Sequence, residues 1–345
     1  MASRVIWHIG LMKSGTTFIQ RRLTANRADL RGQGILFPGP WRRQVSATKD
    51  LIGRHRGMTE AEYGTWETMR SQIEAHPGTA VISMEYLGSA RPTAVARAPE
   101  QFPDSENLVV LTVRDLGRSV PAMWQEALKN RGDTGWSEYL RAIRKGEGPG
   151  RHFWGQMSAG AITDRWAEAF GPEALALVTV PPPGAPRGLL WERFCGVTGV
   201  PVSADREGTR ANASLGVGSA LLLRELNAEL EGLGGPAYKR LVKHGLGNTT
   251  LTGLRDTDDP IGFTVPGWLH RRAGRMQQRL RDSGVRVVGD LDELEPQDVP
   301  GVDPDEVSTE RIRQLAVRAL AAQVRTAAQH EPDQAADTSR PRAVR

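Results

Sequence analysis

The sequence predicts an α/β fold of three layers, with a central, mainly parallel sheet and a helical C-terminal part. Two observations predict it. Through the first half of the chain, apolar stretches of strand length alternate with segments of helical periodicity. The strand-length stretches are apolar almost throughout, which is typical of parallel strands covered by helices on both faces.

Four strands are predicted in order: residues 4–9, 79–84, 107–113 and 174–180. The first is followed by a helix from about Thr16 to Asp29, where apolar residues recur at helical spacing. A helical pattern that Thr59 caps precedes the second strand, and "RSVPAMWQEALKN" forms a helix after the third. The segment "WSEYLRAIRKGEGPGRHFW" is a helix that runs into a Gly/Pro stretch, typical of an insertion near a site.

From residue 214 the predicted elements are mainly helical, with "VRVVGDL" as a short strand candidate and a last helix over about 306–328. We therefore divide the chain into an α/β core (1–205), a helical part packed on that core (206–328) and a polar, disordered tail (329–345). The apolar face of the last helix fits packing on its own domain as well as on a partner, so the oligomeric state stays open.

Composition favours a cytoplasmic protein with a small anionic ligand. No apolar run is long enough to span a bilayer, and the N-terminus does not resemble a secretory signal. The single cysteine, Cys195, excludes an internal disulfide and predicts a buried thiol. The net charge of +5 favours anionic partners, but the basic residues are spread along the chain, which argues against nucleic-acid binding.

A glycine loop, "GLMKSGTT" at 10–17, lies between the first strand and its helix. That placement favours anion binding by backbone N–H groups at the helix N-terminus. A Walker A loop has its lysine after the second glycine, whereas here Lys13 precedes Gly15. A lysine in this position suits stabilisation of a bridging oxygen during group transfer.

The segment "HIGLMKSGTTFIQRRL" resembles the 5′-phosphosulfate loop of P-loop sulfotransferases, which use 3′-phosphoadenosine 5′-phosphosulfate (PAPS), although Met12 stands where the family often has proline. "LTVRDLGRSVPAMWQ" is similar to the family's segment for the 3′-phosphate, and "RANASLGVGSALLLRELN" resembles a later region of bacterial, especially actinomycete, members. The resemblance implies a P-loop fold, PAPS as co-substrate without a metal, and binding of the 5′-phosphosulfate by Lys13, Ser14, Gly15, Thr16 and Thr17.

A second anion site is predicted where the third strand ends. Arg114 should project at the carboxyl edge of the sheet, and Arg118 and Ser119 fall where the next helix begins. By the resemblance these three residues bind the 3′-phosphate, although Pro121 occupies the position where the family usually has its serine. Two strands that end in a carboxylate, "VVLTVRD" with Asp115 and "VISME" with Glu85, also fit a Walker B motif, which would hold Mg²⁺ for ATP chemistry.

Transfer to a hydroxyl or amine requires a base for the acceptor proton. Glu85, just past the second strand, fits by position, and family members use either a glutamate or a histidine. His8 is the second candidate, although a core histidine is expected within a strand, and three loop histidines stay open: His55, His76 and His152.

The sequence therefore predicts sulfuryl transfer from PAPS to a small molecule or glycan, with Lys13 and Glu85 as catalytic residues. Four aromatic residues could line the acceptor pocket or form core: Trp124, Trp136, Phe153 and Trp154. Two other functions stay open, namely an ATP-dependent small-molecule kinase and a nucleotide-binding protein without catalysis.

Overall fold

The computed structural model describes residues 1–55, 58–204, 206 and 214–330. Within these residues a single six-stranded sheet forms, with strand order β2-β3-β1-β4-β5-β6. Every adjacent pair is parallel. The strands are β1 (Arg4–His8), β2 (Ile35–Leu36), β3 (Thr79–Ser83), β4 (Glu106–Val113), β5 (Leu175–Thr179) and β6 (Arg286–Val288). The predicted α/β class with a parallel sheet is confirmed.

Strand β1 lies between β3 and β4. His8, at its end, is opposite Ser83 of β3 on one side and Val110 of β4 on the other. Because carboxyl ends of parallel strands share one edge of a sheet, the segments that follow these three strands are neighbours.

The helices include those that the sequence predicts and others that it does not, and the first predicted helix is divided into two at Asn26. They are α1 (Thr16–Ala25), α2 (Arg27–Gly32), α3 (Trp41–Leu51), α4 (Thr65–Glu74), α5 (Pro92–Ala96), α6 (Leu116–Lys129), α7 (Trp136–Lys145), α8 (Pro149–Met157), α9 (Ala159–Phe170), α10 (Leu189–Thr198), α11 (Val217–Glu229), α12 (Gly235–Ala237), α13 (Gly267–Asp282) and α14 (Thr309–His330), with a π-helical segment over Tyr238–Leu251. Thr59 caps a 3₁₀ turn, Glu60–Glu62, through a capping box with Glu62.

Helices cover both faces of the sheet. On one face Trp7 and Leu111 pack with residues of α3, α4 and α9, among them Trp66 and Trp166. On the other face the alternate strand residues pack with α1 and α10, whose Phe194 is fully buried. Cys195 is buried in this second layer as predicted, and burial raises the pKa of its thiol to about 12.

The chain forms two compact units. The first contains Met1–Met123, Glu138–Arg210 and Thr264–Val299, and the second contains Trp124–Ser137, Ala211–Phe263 and Pro300–Arg345. The sequence placed one boundary between 205 and 206, whereas 264–299 belongs to the first unit because β6 pairs with β5.

The second unit is mainly helical in the residues described. Asp258 accepts the backbone N–H groups of Gly218 (3.0 Å) and Ser219 (2.8 Å) in the first turn of α11. The rings of Trp124 and Trp136 are 5.1 Å apart.

Two further expectations concern the C-terminus and membranes. The predicted disordered tail lies outside the described residues from 331 onward, and 329–330 complete α14. Among the helices of the described residues, none combines the length and apolarity that crossing a membrane requires.

Candidate functional site

The glycine loop follows β1 and leads directly into α1, as the sequence predicts. Gly15 is the N-cap residue in a left-handed conformation (φ 84°), and no side chain caps the helix there. The positive φ favours glycine at this position, and a Cβ there would also require Cδ2 of Leu190 to move. The first N–H groups of any α-helix lack carbonyl partners within it, so those of Thr16 and Thr17 can bind an anion.

Lys13 lies at the top of the loop with a positive φ of 56°, which is uncommon for a residue with a side chain. Its backbone carbonyl accepts a long hydrogen bond of 3.4 Å from Nη1 of Arg114. The loop after β1 and the segment after β4 are thus in contact. The structure brings together two of the predicted anion-binding residues.

Ser14 faces the protein interior rather than a ligand. Its Oγ donates to the carbonyl of Leu11 at 2.5 Å and lies 2.8 Å from Oγ1 of Thr112 in β4. Thr112 in turn lies 3.3 Å from Nε2 of His8, and Nδ1 of His8 lies 2.7 Å from Oγ of Ser83. These four buried side chains form a polar chain beneath the loop that joins β3, β1 and β4.

The partners in this polar chain determine the tautomer of His8. The hydroxyl hydrogen of Ser14 goes to Leu11, so that of Thr112 goes to Ser14 or to the carbonyl of Gly10, 3.1 Å away. His8 must then donate from Nε2, and its Nδ1 accepts from Ser83. Burial lowers the pKa of His8 to about 3, so the ring is neutral at physiological pH. His8 is a hydrogen-bonded core residue, which matches the expectation for a histidine within a strand.

Glu85 lies beside the loop, on the β3 side. A Cβ built on Gly10, whose φ is +112°, would lie 3.2 Å from Cα of Glu85. Oε2 of Glu85 accepts a hydrogen bond of 3.1 Å from Nε2 of Gln20 in α1. The carboxylate is partly buried and is held between the loop and the first helix.

Arg114 occupies the matching position on the β4 side. Burial, with a smaller effect of Arg118, lowers the pKa of its guanidinium to about 10, which leaves it charged at neutral pH. Its Nε is buried without a hydrogen-bond partner in the part of the chain that the structure describes. A buried, charged donor at the ligand-binding edge of a parallel sheet is suited to binding an anion.

Arg118 and Ser119 have protein partners instead. Nε of Arg118 pairs with Asp115, and its Nη1 donates to the carbonyl of Pro181 at 3.0 Å. Ser119 is fully buried, and its hydroxyl donates to the carbonyl of Asp115 at 2.7 Å. Both side chains would have to exchange partners to bind a phosphate, and their role as ligands stays a prediction.

Asp115 is the carboxylate that a Walker B motif would use for Mg²⁺. It is buried, and it accepts both the backbone N–H (2.9 Å) and the guanidinium of Arg118. In the described ranges, no group of three or more His, Cys, Asp or Glu side chains is arranged to hold a metal ion.

A cavity of about 480 Å³ opens next to the segment that carries Glu85. Its walls come from the end of α3 with the following loop and from the turn after β3. They include Lys49, Arg54, His55, Tyr86 and Arg91. Of these, the sequence singled out only His55. The others gave no signal, because a cavity built from two distant segments has no local pattern.

The four aromatic residues predicted as core or acceptor pocket lie elsewhere. Trp124, Trp136 and Phe153 are buried core side chains. Trp154 donates to the carbonyl of Ile143 and packs beneath the guanidinium of Arg272. None of these four lines the cavity next to Glu85 among the residues described. Of the other two candidate histidines, His76 lies in the loop before β3 and contacts the carbonyl of Gly34. His152 lies within α8, not in a loop as the sequence predicts, and contacts Gln156.

No protein-family model matches the chain, and no curated protein matches it. Among solved structures, the chain is similar to a sulfotransferase from Alicyclobacillus acidocaldarius, with 15% sequence identity and a TM-score of 0.42. The similarity covers 71% of this chain and 96% of that chain. At this identity and TM-score the similarity carries no argument about function. The functional proposal rests on the residues described above.

Proposed function

We propose that this protein is a sulfotransferase, which transfers a sulfuryl group from PAPS to a hydroxyl or amine of a small molecule or glycan. One observation above all supports it. Lys13, which precedes the turn glycine, lies in the loop after β1, and β1 itself lies between β3, which Glu85 follows, and β4, which Arg114 follows. A donor grip, a lysine for the leaving group and a carboxylate for the acceptor proton thus occur along one sheet edge.

The donor would lie across β1 and β4. Its 5′-phosphosulfate would bind the N–H groups of residues 14–17 and the hydroxyls of Thr16 and Thr17. Its 3′-phosphate would bind Arg114, whose Nε is buried without a partner in the described structure. Ser14 contributes through its backbone, since its hydroxyl is committed to Leu11. Arg118 and Ser119 stay predicted ligands of the 3′-phosphate. To bind it, both side chains would have to leave their present partners.

The reaction follows from this placement. The acceptor oxygen or nitrogen attacks sulfur, and the bond between sulfur and the bridging oxygen of the 5′-phosphate breaks. The bridging oxygen leaves with both bonding electrons as part of adenosine 3′,5′-bisphosphate (PAP), and Lys13 stabilises its charge. Glu85 accepts the acceptor's proton, a contribution typically of about 10²–10⁴-fold in rate.

Asp115 argues against the kinase hypothesis. An ATP-dependent enzyme with this loop would need a carboxylate for Mg²⁺. Asp115 is buried and bonded to Arg118, which leaves Glu85, bonded to Gln20, as the other carboxylate that a Walker B motif could use. The lysine that would grip a triphosphate also precedes the turn glycine. The hypothesis of a nucleotide-binding protein without turnover retains the proposed donor-binding site but assigns no role to Glu85.

Calorimetric titration with PAP and with ATP–Mg²⁺ tests the proposal. We expect PAP to bind without metal, and Lys13→Met to weaken that binding while Lys145→Met, at the exposed end of α7, leaves it unchanged. Tighter binding of ATP–Mg²⁺ than of PAP would favour the kinase. If neither ligand binds, both enzyme hypotheses are wrong. PAP binding without sulfuryl transfer from PAPS to any member of a mixed acceptor library would favour the protein without turnover.

A further inference from the structure

The cavity beside the turn that follows β3 is basic, and its lining in that turn begins one residue after Glu85. We call it the α3–β3 pocket and define it by Lys49, Arg54, His55, Tyr86 and Arg91. Three of these side chains carry a permanent positive charge at neutral pH, and none of the residues that line the cavity in the described structure is Asp or Glu. The lining of this cavity thus concentrates positive charge in a concave site.

The two arginines of the α3–β3 pocket are exposed to solvent. In the described part of the chain neither Arg54 nor Arg91 forms an ion pair. The guanidinium of Arg54 lies over the ring of Tyr86, 5.2 Å from its centroid, which leaves its N–H edge for a ligand. Two carboxylates act on other lining residues: Asp50 contacts Nε2 of His55 at 3.3 Å, and Glu62 interacts electrostatically with Lys49. The positive charge of the arginines is therefore not neutralised by a neighbouring acid.

The α3–β3 pocket is tied to the proposed reaction centre through one turn. Tyr86 directly follows Glu85, and the turn is bonded to β1 at two points. The backbone N–H of Met84 donates to the backbone carbonyl of His8, and that of Gly88 donates to the backbone carbonyl of Ile9, each at 2.9 Å. A Cβ at Gly88 would lie 2.7 Å from the carbonyl oxygen of Ile9, so the turn packs closely against the strand that precedes Lys13.

We propose that the acceptor is an anionic compound, bound in the α3–β3 pocket by Arg54 and Arg91. It would carry a carboxylate, phosphate ester or sulfate ester together with the hydroxyl or amine that receives the sulfuryl group. The volume of about 480 Å³ suits a molecule of roughly monosaccharide size. This inference rests on the proposed function, because it assigns the base to Glu85 and the donor to the opposite side of β1.

Four probes that share one sugar ring test the inference: glucose, glucuronate, glucose 6-phosphate and glucose 6-sulfate. Their binding to the PAP-saturated protein is measured by ligand-observed NMR. We expect at least one of the three charged sugars to bind at least about tenfold more tightly than glucose, because it can form charge-assisted hydrogen bonds with the arginines. The order among the three charged sugars identifies the anionic group.

Matched variants complete the test. Arg54→Gln/Arg91→Gln should remove the preference for charged sugars. Arg141→Gln/Arg144→Gln, which removes the same charge from exposed positions of α7, should keep it. Equal binding of glucose and the charged sugars, no binding of any charged sugar at millimolar concentration, or the same loss in both variants would contradict the inference. PAP binding is measured first on every variant, so failure of the donor site is seen separately.

Discussion

Gly10 packs directly against Glu85. A Cβ on Gly10 would lie 3.2 Å from Cα and 3.3 Å from Cβ of Glu85, and φ of Gly10 is +112°. This contact sets the separation between the loop that holds Lys13 and the proposed base. It also requires glycine, because a side chain would strain the backbone and push the two segments apart.

We expect Gly10→Ala to lower both stability and turnover. The strained φ alone costs on the order of 1–3 kcal/mol in the free energy of unfolding. The control is Gly32→Ala at the end of α2, where no atom lies within 4 Å of the added Cβ. Chemical denaturation and sulfuryl-transfer rates measure both effects. Equal behaviour of the two variants would show that the close contact with Glu85 has no consequence.

Lys13→Met should reduce kcat by about 10²–10³-fold, as loss of one group that stabilises developing charge typically does. Methionine keeps most of the length of the side chain and removes only its charge. Single-turnover kinetics at saturating PAPS separate this effect from weaker donor binding. A kcat within a few-fold of wild type would exclude Lys13 from the reacting bond.

Glu85→Gln should abolish most turnover and preserve donor binding. Glutamine can keep the contact with Gln20 but cannot accept the acceptor's proton. His55→Gln is the comparison, because His55 lines the α3–β3 pocket and contacts Asp50. If His55→Gln lost turnover and Glu85→Gln kept it, the base would be His55, oriented by Asp50.

His8 should make stability depend on pH. Its pKa falls from 6.5 in the unfolded chain to about 3 in the folded protein. Between these values the unfolded state binds the extra proton, so stability falls as pH falls from about 6.5 towards 3. From pH 7 to pH 5 the contribution of His8 amounts to about 2 kcal/mol.

Chemical denaturation of wild type and His8→Gln at both pH values checks this contribution. The carboxylates are common to both proteins, so their effect cancels in the difference. We expect the variant to lose about 2 kcal/mol less than wild type on acidification. Parallel pH profiles for the two proteins would contradict a buried, neutral His8.

Arg114→Met should weaken PAP binding by about 10-fold or more, since charge-assisted hydrogen bonds to phosphate are among the stronger ones. Ser119→Ala should leave PAP affinity unchanged and affect stability only, because the hydroxyl of Ser119 donates to the carbonyl of Asp115, the residue before α6. Calorimetry with PAP measures both variants. A large loss of affinity in Ser119→Ala would support the sequence-based assignment of Ser119 as a phosphate ligand.

The sequence predicted the fold class because buried parallel strands produce long apolar runs that a single chain displays locally. It missed β2, since two residues, Ile35–Leu36, are too few to show a pattern. It detected the strand candidate in "VRVVGDL" but assigned it to the C-terminal part. The pairing of β6 with β5 joins segments more than 100 residues apart and leaves no local trace.

The candidate site, like the fold, was predicted only in part from the sequence. The glycine loop, Arg114 and Glu85 follow from strand ends, and the structure places all three along one edge of the sheet. The inward orientation of Ser119 depends on the phase of α6, which the motif alone does not give. The polar chain from Ser14 to Ser83 depends on the order of β3, β1 and β4, although the Ser and Thr within apolar strands were a visible clue.

The position of β1 between β3 and β4 also bears on how such a protein can evolve. In the arrangement that we propose, residues at the end of α3 and after β3 meet the acceptor, whereas residues after β1 and β4 hold the donor. Substitutions at positions 49–55 and 86–91 can therefore alter acceptor choice while leaving the nucleotide grip intact. Acceptor specificity and donor affinity can then change independently in evolution, although both depend on residues at the same edge of the sheet.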